Sequence, residues 1–311
     1  MLVIFYLIAG LVLLYFGADY LVKGGASIAL KWKVSPLVIG LTLVACGTSA
    51  PEFVVSVDAA LKGFGDVSLG NIVGSNLCNI ALILGLCATI TPLRVHPKLL
   101  KFDMGIMLAA AAVLCGFYAL NNGVNRWEAI LLLAGGIAYT VWNFYSSRQN
   151  GEAAGSDDVP QTRYSLPLSL LMVAGGLAAL VGGAKLFVNG AISMAQWFGI
   201  SEAVIGLTVV AVGTSLPELA TSVVAALKKE QDIAIGNVVG SNIFNILGIL
   251  GVAPLICPIR AQGISSVDMC LMLGVSVLLY PMMKSGLKIS RREGGILLTI
   301  YILYTAYLIL K

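Results

Sequence analysis

The sequence predicts an all-α integral membrane protein: ten transmembrane helices in two inverted-topology repeats of five, with helices 2 and 7 broken. Three observations carry this reading: a scarcity of charge, long continuous apolar runs, and an internal repeat of odd helix number. Of the 311 residues, 59% are hydrophobic and 11% charged, and the mean hydropathy is +0.95. A soluble domain carries about 25% charged and about 45–50% apolar residues. So little charge cannot cover a water-facing surface, which excludes a soluble enzyme, a nucleic-acid binder and a disordered scaffold. The apolar runs are continuous rather than alternating, which argues against a β-barrel. At about 20 residues per crossing, the chain has room for roughly ten helices.

Loop signals divide the apolar runs into spans at 2–22, 35–62, 66–90, 102–120, 126–146, 165–190, 201–228, 232–256, 266–284 and 291–310. The one polar, low-complexity connection, 147–164, separates an N-terminal half, 1–146, from a C-terminal half, 165–311. The first run is followed by Lys23 and a Gly-rich stretch without a cleavage pattern, so it is read as a transmembrane helix and not a removable signal. One set of loops collects Lys31, Lys33, Arg94, Lys98, Lys101, Arg148, Arg163, Lys228, Lys229, Lys284, Lys288, Arg291 and Arg292. The other set collects Lys62, Arg126, Arg260 and Lys311. The positive-inside rule then places the linker in the cytoplasm and both termini outside. Six cysteines lie in or beside apolar runs without a CxxC pair, and the single histidine, His96, lies in a loop. Neither supports a zinc site.

The strongest signal is self-similarity. Val38–Gly85 contains GLTLVACGTSAPE and GNIVGSNLCN, and Val204–Gly251 contains GLTVVAVGTSLPE and GNVVGSNIFN. The register is gapless, with about 30 identical positions, far above chance even for an apolar composition. It extends back to pair Gly17 with Gly183 and Gly24 with Gly190. Five spans per half make the second half cross in the opposite sense, and such inverted repeats are the architecture of secondary transporters.

Each repeat sets a carboxylate, Glu52 or Glu218, in the middle of an apolar span with no basic residue in spans 2, 3, 7 or 8 at that depth. A carboxylate there costs at least about 2.5–3.5 kcal/mol, so a cation bound from outside the protein is the better partner. Pro51 and Pro217 each remove a backbone donor and crowd the carbonyl of Gly47 or Gly213, breaking the helix and freeing carbonyls that suit a hard cation. Spans 3 and 8 supply the other wall. Ser75 and Asn79 share a face, as do Ser241 and Asn245, while Asn71, Asn76, Asn237 and Asn242 are candidates for bonds between helices. The donors are thus Glu52 and Glu218, Asn79 and Asn245, the hydroxyls of Thr48, Ser49, Thr214 and Ser215, and free carbonyls. Oxygen-only coordination selects calcium or alkali cations over zinc or copper. Two glutamates neutralise one Ca²⁺ or two Na⁺, the balance an antiporter needs, and a third monovalent ion would make exchange electrogenic. Asp19 and Lys185 occupy equivalent positions near span ends, where interfacial placement is expected, and Asp58 is expected to be an exposed span-end acid.

The GTSAPE and GTSLPE motifs resemble the alpha-repeat signatures of the cation/calcium antiporter superfamily, in particular its prokaryotic ten-helix sodium/calcium exchangers, over essentially the whole chain. The resemblance implies a calcium site centred on Glu52 and Glu218 and completed by the Thr48 and Thr214 carbonyls. It implies sodium sites using Ser49, Ser75, Ser215, Ser241 and the carbonyls of Ala45 and Ala211, and a sliding gate formed by spans 1 and 6. Neutral Asn79 and Asn245, where potassium-dependent exchangers carry an acid at the second position, argue against obligatory potassium co-transport. The expected activity is sodium/calcium antiport in a prokaryotic cytoplasmic membrane, with calcium extrusion. Proton/calcium antiport through the same glutamates is the alternative, and a passive channel or a membrane hydrolase lies further off. No covalent chemistry, resident cofactor, nucleic acid or obligatory protein partner is expected; the partners are calcium, sodium and membrane lipid.

Overall fold

The computed structural model describes residues 2–149, 164–198 and 211–310. Over these residues the chain is helical, with four two-residue strands in its loops. The helices are α1 (Leu2–Trp32), α2 (Pro36–Thr48), α3 (Ala50–Leu61), α4 (Gly65–Ile90), α5 (Leu99–Asn121), α6 (Arg126–Gln149), α7 (Leu166–Trp197), α8 (Leu216–Leu227), α9 (Gln231–Ile256), α10 (Ser266–Lys284) and α11 (Arg291–Leu310). Among the described residues, eight helices are long and apolar enough to cross a bilayer, and the bent pair α2–α3 makes a ninth span. α8 is apolar but shorter, and the first part of the expected span 201–228 lies outside the described residues, as does most of the expected linker.

Two spans are longer than the hydropathy limits. α1 continues past 22 to Trp32, and α7 past 190 to Trp197. The reason is their mutual packing. α1 lies along α7, and glycines recur every seventh residue on both helices, at 10, 17 and 24 and at 176, 183 and 190. A Cβ on Gly17 would stand 2.8 Å from the Gly176 carbonyl oxygen, and one on Gly176 would stand 2.7 Å from that of Gly17. Small residues let the two backbones touch, and the contact carries α1 through the Gly24-Gly25 stretch that reads as a loop. Asp19 therefore sits well inside a helix rather than near its end. Ser147 likewise belongs to α6 and not to the linker: it is fully buried, and its hydroxyl accepts the Ser35 N–H at 3.0 Å.

The break in span 2 falls at Ser49, the one residue between α2 and α3, where the axis turns by 48°. Pro51 stands at the start of α3, the position where its missing N–H is tolerated. The second copy repeats the interruption: a short helical segment, Ala211–Gly213, stops at Thr214 and Ser215 before α8 begins with Leu216-Pro217. α4 and α9 cross behind these breaks. Each contains a π-helical stretch, Cys78–Leu84 and Phe244–Ile249, holding Asn79 and Asn245. α4 and α9 are the most buried of the long helices, whereas α6 and α11 lie at the periphery. Strands β1 (Leu93–Arg94) and β4 (Lys288–Ile289) pair antiparallel, as do β2 (Gly123–Val124) and β3 (Ile259–Arg260), tying loops of one half to loops of the other.

The two halves do not use their glycines identically. A Cβ on Gly240 would lie 2.5 Å from the Leu41 carbonyl oxygen and 2.6 Å from its Cα, whereas the repeat-equivalent Gly74 has nothing within 4 Å. Gly240→Ala is expected to lower stability by about 1–3 kcal/mol through overpacking. Gly74→Ala should be neutral or stabilising by up to about 1 kcal/mol through helix propensity. Thermal unfolding of the two purified variants in detergent checks the difference, and equal melting temperatures would contradict the close α2–α9 contact.

Candidate ion-binding site

Glu52 and Glu218 lie in the first turns of α3 and α8, immediately after the helix breaks. A half-helix N-terminus presents unpaired N–H groups and the positive end of the helix dipole, which offsets part of the cost of a buried carboxylate. Both residues are at most 1% exposed, and neither forms an ion pair among the described residues. The serine of each break reaches across to the glutamate of the other half. Ser49 Oγ donates to Glu218 Oε1 at 2.7 Å, and Ser215 Oγ donates to Glu52 Oε1 at 2.9 Å. Ser75 Oγ, on α4, adds a longer bond to Glu52 Oε1 at 3.4 Å and lies 3.3 Å from Ser215 Oγ.

The remaining polar residues form a second reciprocal set. Asn71 Nδ2 donates to the Glu52 carbonyl at 3.2 Å and to Ser56 Oγ at 2.9 Å. Asn237 Nδ2 repeats this with the Glu218 carbonyl at 3.4 Å and Ser222 Oγ at 3.0 Å. Asn237 does one thing more: its Oδ1 accepts from Thr48 Oγ1 at 3.0 Å. Asn79 Nδ2 donates to Asn242 Oδ1 at 3.4 Å, and Asn245 Nδ2 to Asn76 Oδ1 at 3.0 Å. Asn76 and Asn242 are thus bridging residues, and their bonds turn the Asn79 and Asn245 amides so that their oxygens stay uncommitted.

What is left over defines the chemistry. Glu52 Oε2, Glu218 Oε2, Asn79 Oδ1 and Asn245 Oδ1 are buried and have no hydrogen-bond partner, and neither do the hydroxyls of Thr214 and Ser241. The first four are acceptors only. Buried acceptors without donors are expensive, and buried charges without partners more so. Oxygens of this kind suit a hard cation. Among the described residues no cluster of three or more His, Cys, Asp or Glu side chains forms an alternative metal site.

The cross-bonds bring Ser49, Ser75 and Ser215 onto the two glutamates and Thr48 onto Asn237, while Asn79 and Asn245 are held by Asn242 and Asn76; the side chain of Ala211 lies outside the described set. Ala45 is fully buried, and its carbonyl already accepts the Ser49 N–H at 3.0 Å and Thr48 Oγ1 at 3.3 Å. Thr48 and Thr214 differ: Thr48 is fully buried and hydrogen-bonded, whereas Thr214 is half-buried and lines a cavity of about 510 Å³. Ser56 and Ser222 were not singled out from the sequence. Their signal was present, since each follows its glutamate by one helical turn and the two are identical in the repeat register. Asp58 is exposed as expected and pairs with Lys62 at 2.6 Å.

The family model described as "Sodium/calcium exchanger protein" matches residues 2–145 and 168–310. The sodium/calcium exchanger MaX1 of Methanosarcina acetivorans is 35% identical over 97% of both chains. The inner membrane protein YrbG of Escherichia coli (strain K12) is 36% identical over 88% of this chain and 86% of its own. A solved structure of the sodium-calcium exchanger NCX_Mj superposes with a TM-score of 0.85 at 36% identity, covering 99% of each chain. With the match extending over nearly its whole length, this multi-pass membrane chain belongs to the sodium/calcium exchanger family, whose members are transporters and not enzymes.

Proposed function

We propose that this protein is a secondary active antiporter that exchanges sodium for calcium by alternating access, extruding calcium electrogenically across a prokaryotic cytoplasmic membrane. The observation that carries the reading is the set of buried, donorless oxygens on Glu52, Glu218, Asn79 and Asn245. Calcium would be held by the two carboxylates with the Thr48 and Thr214 carbonyls. Sodium would use the hydroxyls of Ser49, Ser75, Ser215 and Ser241 with the carbonyls of Ala45 and Ala211. Asn79 and Asn245 would add neutral oxygens. Every donor is an oxygen, which suits both ions.

Ten crossings in two inverted halves, joined by the linker 147–164, fit this function, and the loop strands support the inversion. β1 and β2 flank α5 at its two ends. The repeat register carries Leu93 of β1 onto Ile259 of β3, and β3 pairs with β2. Equivalent loops thus belong to opposite ends of the bundle, as an inverted repeat requires. Alternating access is supported by the unequal burial of equivalent positions: Thr214 lines a cavity of about 510 Å³, whereas Thr48 is fully buried. The positive-inside distribution of Lys and Arg supports termini outside and a cytoplasmic linker.

In proteoliposomes with pH and voltage clamped, an imposed Na⁺ gradient is expected to drive Ca²⁺ flux. Flux driven by a proton gradient in the absence of Na⁺ would instead assign the proton-coupled alternative. Glu52→Gln and Glu218→Gln are each expected to remove detectable exchange while leaving a monodisperse protein, and near-normal transport by either variant would take that residue out of the site. Asn237→Ala is expected to cost about 1–3 kcal/mol by removing its buried bonds to Thr48 Oγ1, Ser222 Oγ and the Glu218 carbonyl, read as a lower melting temperature together with weaker calcium protection against unfolding.

A further inference from the structure

The cavity makes the two halves unequal in a specific way. It is lined by Ala184, Lys185, Val188 and Asn189 of α7 and by Thr214. Their repeat equivalents are Ala18, Asp19, Val22 and Lys23 of α1, and Thr48. Apart from Lys23, whose side chain is 41% exposed, those positions are closed: Ala18, Val22 and Thr48 are at most 1% exposed. Asp19 is the key to that closure. It is 8% exposed, and Lys23 Nζ lies 2.8 Å from its Oδ2. Its other carboxylate oxygen contacts the ammonium of Lys228. Lys228 is the first residue beyond α8, so the ion pair ties α1 directly to the helix that carries Glu218, at the end of the bundle away from the cavity.

The register assigns Lys185 to the position of Asp19 and Lys62 to that of Lys228. The same closing contact at the cavity end would therefore bring two ammonium groups together. Asp58 sits on α3 itself, already pairs with Lys62 one turn away, and is replaced by Val224 in the other half. We propose that Asp19 and Lys228 form a one-sided latch: it positions α1 against α8 while the cavity is open, must part for the opposite end to open, and has no attractive counterpart there. The two access states are then unequal in energy, and the state with the cavity open beside Lys185 is the resting one. This inference rests on the alternating-access reading, but its test needs no ion flux.

The test uses single cysteines placed at the equivalent positions Val22 and Val188, labelled with a hydrophilic maleimide in detergent without Na⁺ or Ca²⁺, the labelling of native cysteines being subtracted. Asp19→Asn and Lys228→Gln are each expected to raise Val22→Cys labelling by about two- to fivefold, the population change given by losing one partly exposed ion pair. Val188→Cys labelling should not rise. Asp19→Glu and Lys228→Arg, which keep the charges, should leave both rates near those of the parent. Lys185→Asp, which supplies the missing partner for Lys62, should also raise Val22→Cys labelling. A general loosening of the bundle would raise both rates together, and that result overturns the latch, as does unchanged Val22→Cys labelling in Asp19→Asn and Lys228→Gln. Should Asp19→Asn fail to fold, Lys228→Gln decides, because the Lys228 side chain is 30% exposed and tolerates replacement. Intact Na⁺/Ca²⁺ exchange with unchanged labelling would remove the latch alone, and absent exchange with the expected labelling would remove only the choice of ions.

Discussion

The rest of the structure depends on two carboxylates held out of water without a basic partner. Insertion at mid-membrane costs each at least about 2.5–3.5 kcal/mol, and the local architecture reads as a response to that cost. The helices break just before Glu52 and Glu218, so each acid sits at a half-helix N-terminus. Each receives a serine hydroxyl on one oxygen only. The protein thus stabilises one oxygen of each carboxylate and leaves the other without a donor, free on the proposed function for a cation. A lysine at the same depth would have neutralised the charge more simply, and would have taken the binding site with it.

Reciprocity follows from the same constraint. Ser49 serves Glu218 and Ser215 serves Glu52, and Thr48 bonds to Asn237 of the opposite half. Neither half completes its own site. The interface between halves is consequently polar at its centre and close-packed around it, with Gly240 against Leu41 and Gly17 against Gly176. The polar centre fixes the register of one half on the other, since a slip would unpair several buried groups at once. The α1–α7 pair, by contrast, meets mostly through glycines and apolar side chains, with a buried hydrogen bond, Ser169 Oγ to Ser27 Oγ at 2.8 Å, near one end.

Much of this was legible in the sequence because it rests on identity and spacing. The repeat gives the paired glutamates, the prolines give the breaks, and the lack of mid-span bases gives the need for a cation. Asn79 and Asn245 are buried, as are Ser75 and Ser241, and that each asparagine shares a face with its serine was readable from spacing. Span length was not, because the glycines of α1 and α7 signal a loop to hydropathy and a packing face to a neighbouring helix. Nor was the contact of Asp19 readable: once α1 runs to Trp32, the residue is interior to its helix, and its partner Lys228 lies far away in sequence. No periodicity encodes a contact between a helix interior and a loop of the other half. Nor does the register reveal that Thr48 is bonded while Thr214 lines a cavity, because equivalent positions in a repeat need not have equivalent surroundings.

Coupling, on the proposed function, comes from the same charge count. With Asn79 and Asn245 neutral, the site carries two charges; one Ca²⁺ or two Na⁺ cancel them, and the third Na⁺ that electrogenic exchange requires adds one net positive charge. A gate that closes over two bare carboxylates traps uncompensated charge in a medium where charge interactions are far stronger than in water, so the unloaded protein is held from crossing between states. Either cargo removes that penalty, and the serine and asparagine oxygens let the site accommodate either. Exchange rather than leak then requires no separate lock. The ion pair at Asp19 acts on a different quantity: it changes the relative populations of the two access states without touching the site, and so biases the side from which cargo is met while leaving the charge rule that enforces exchange intact.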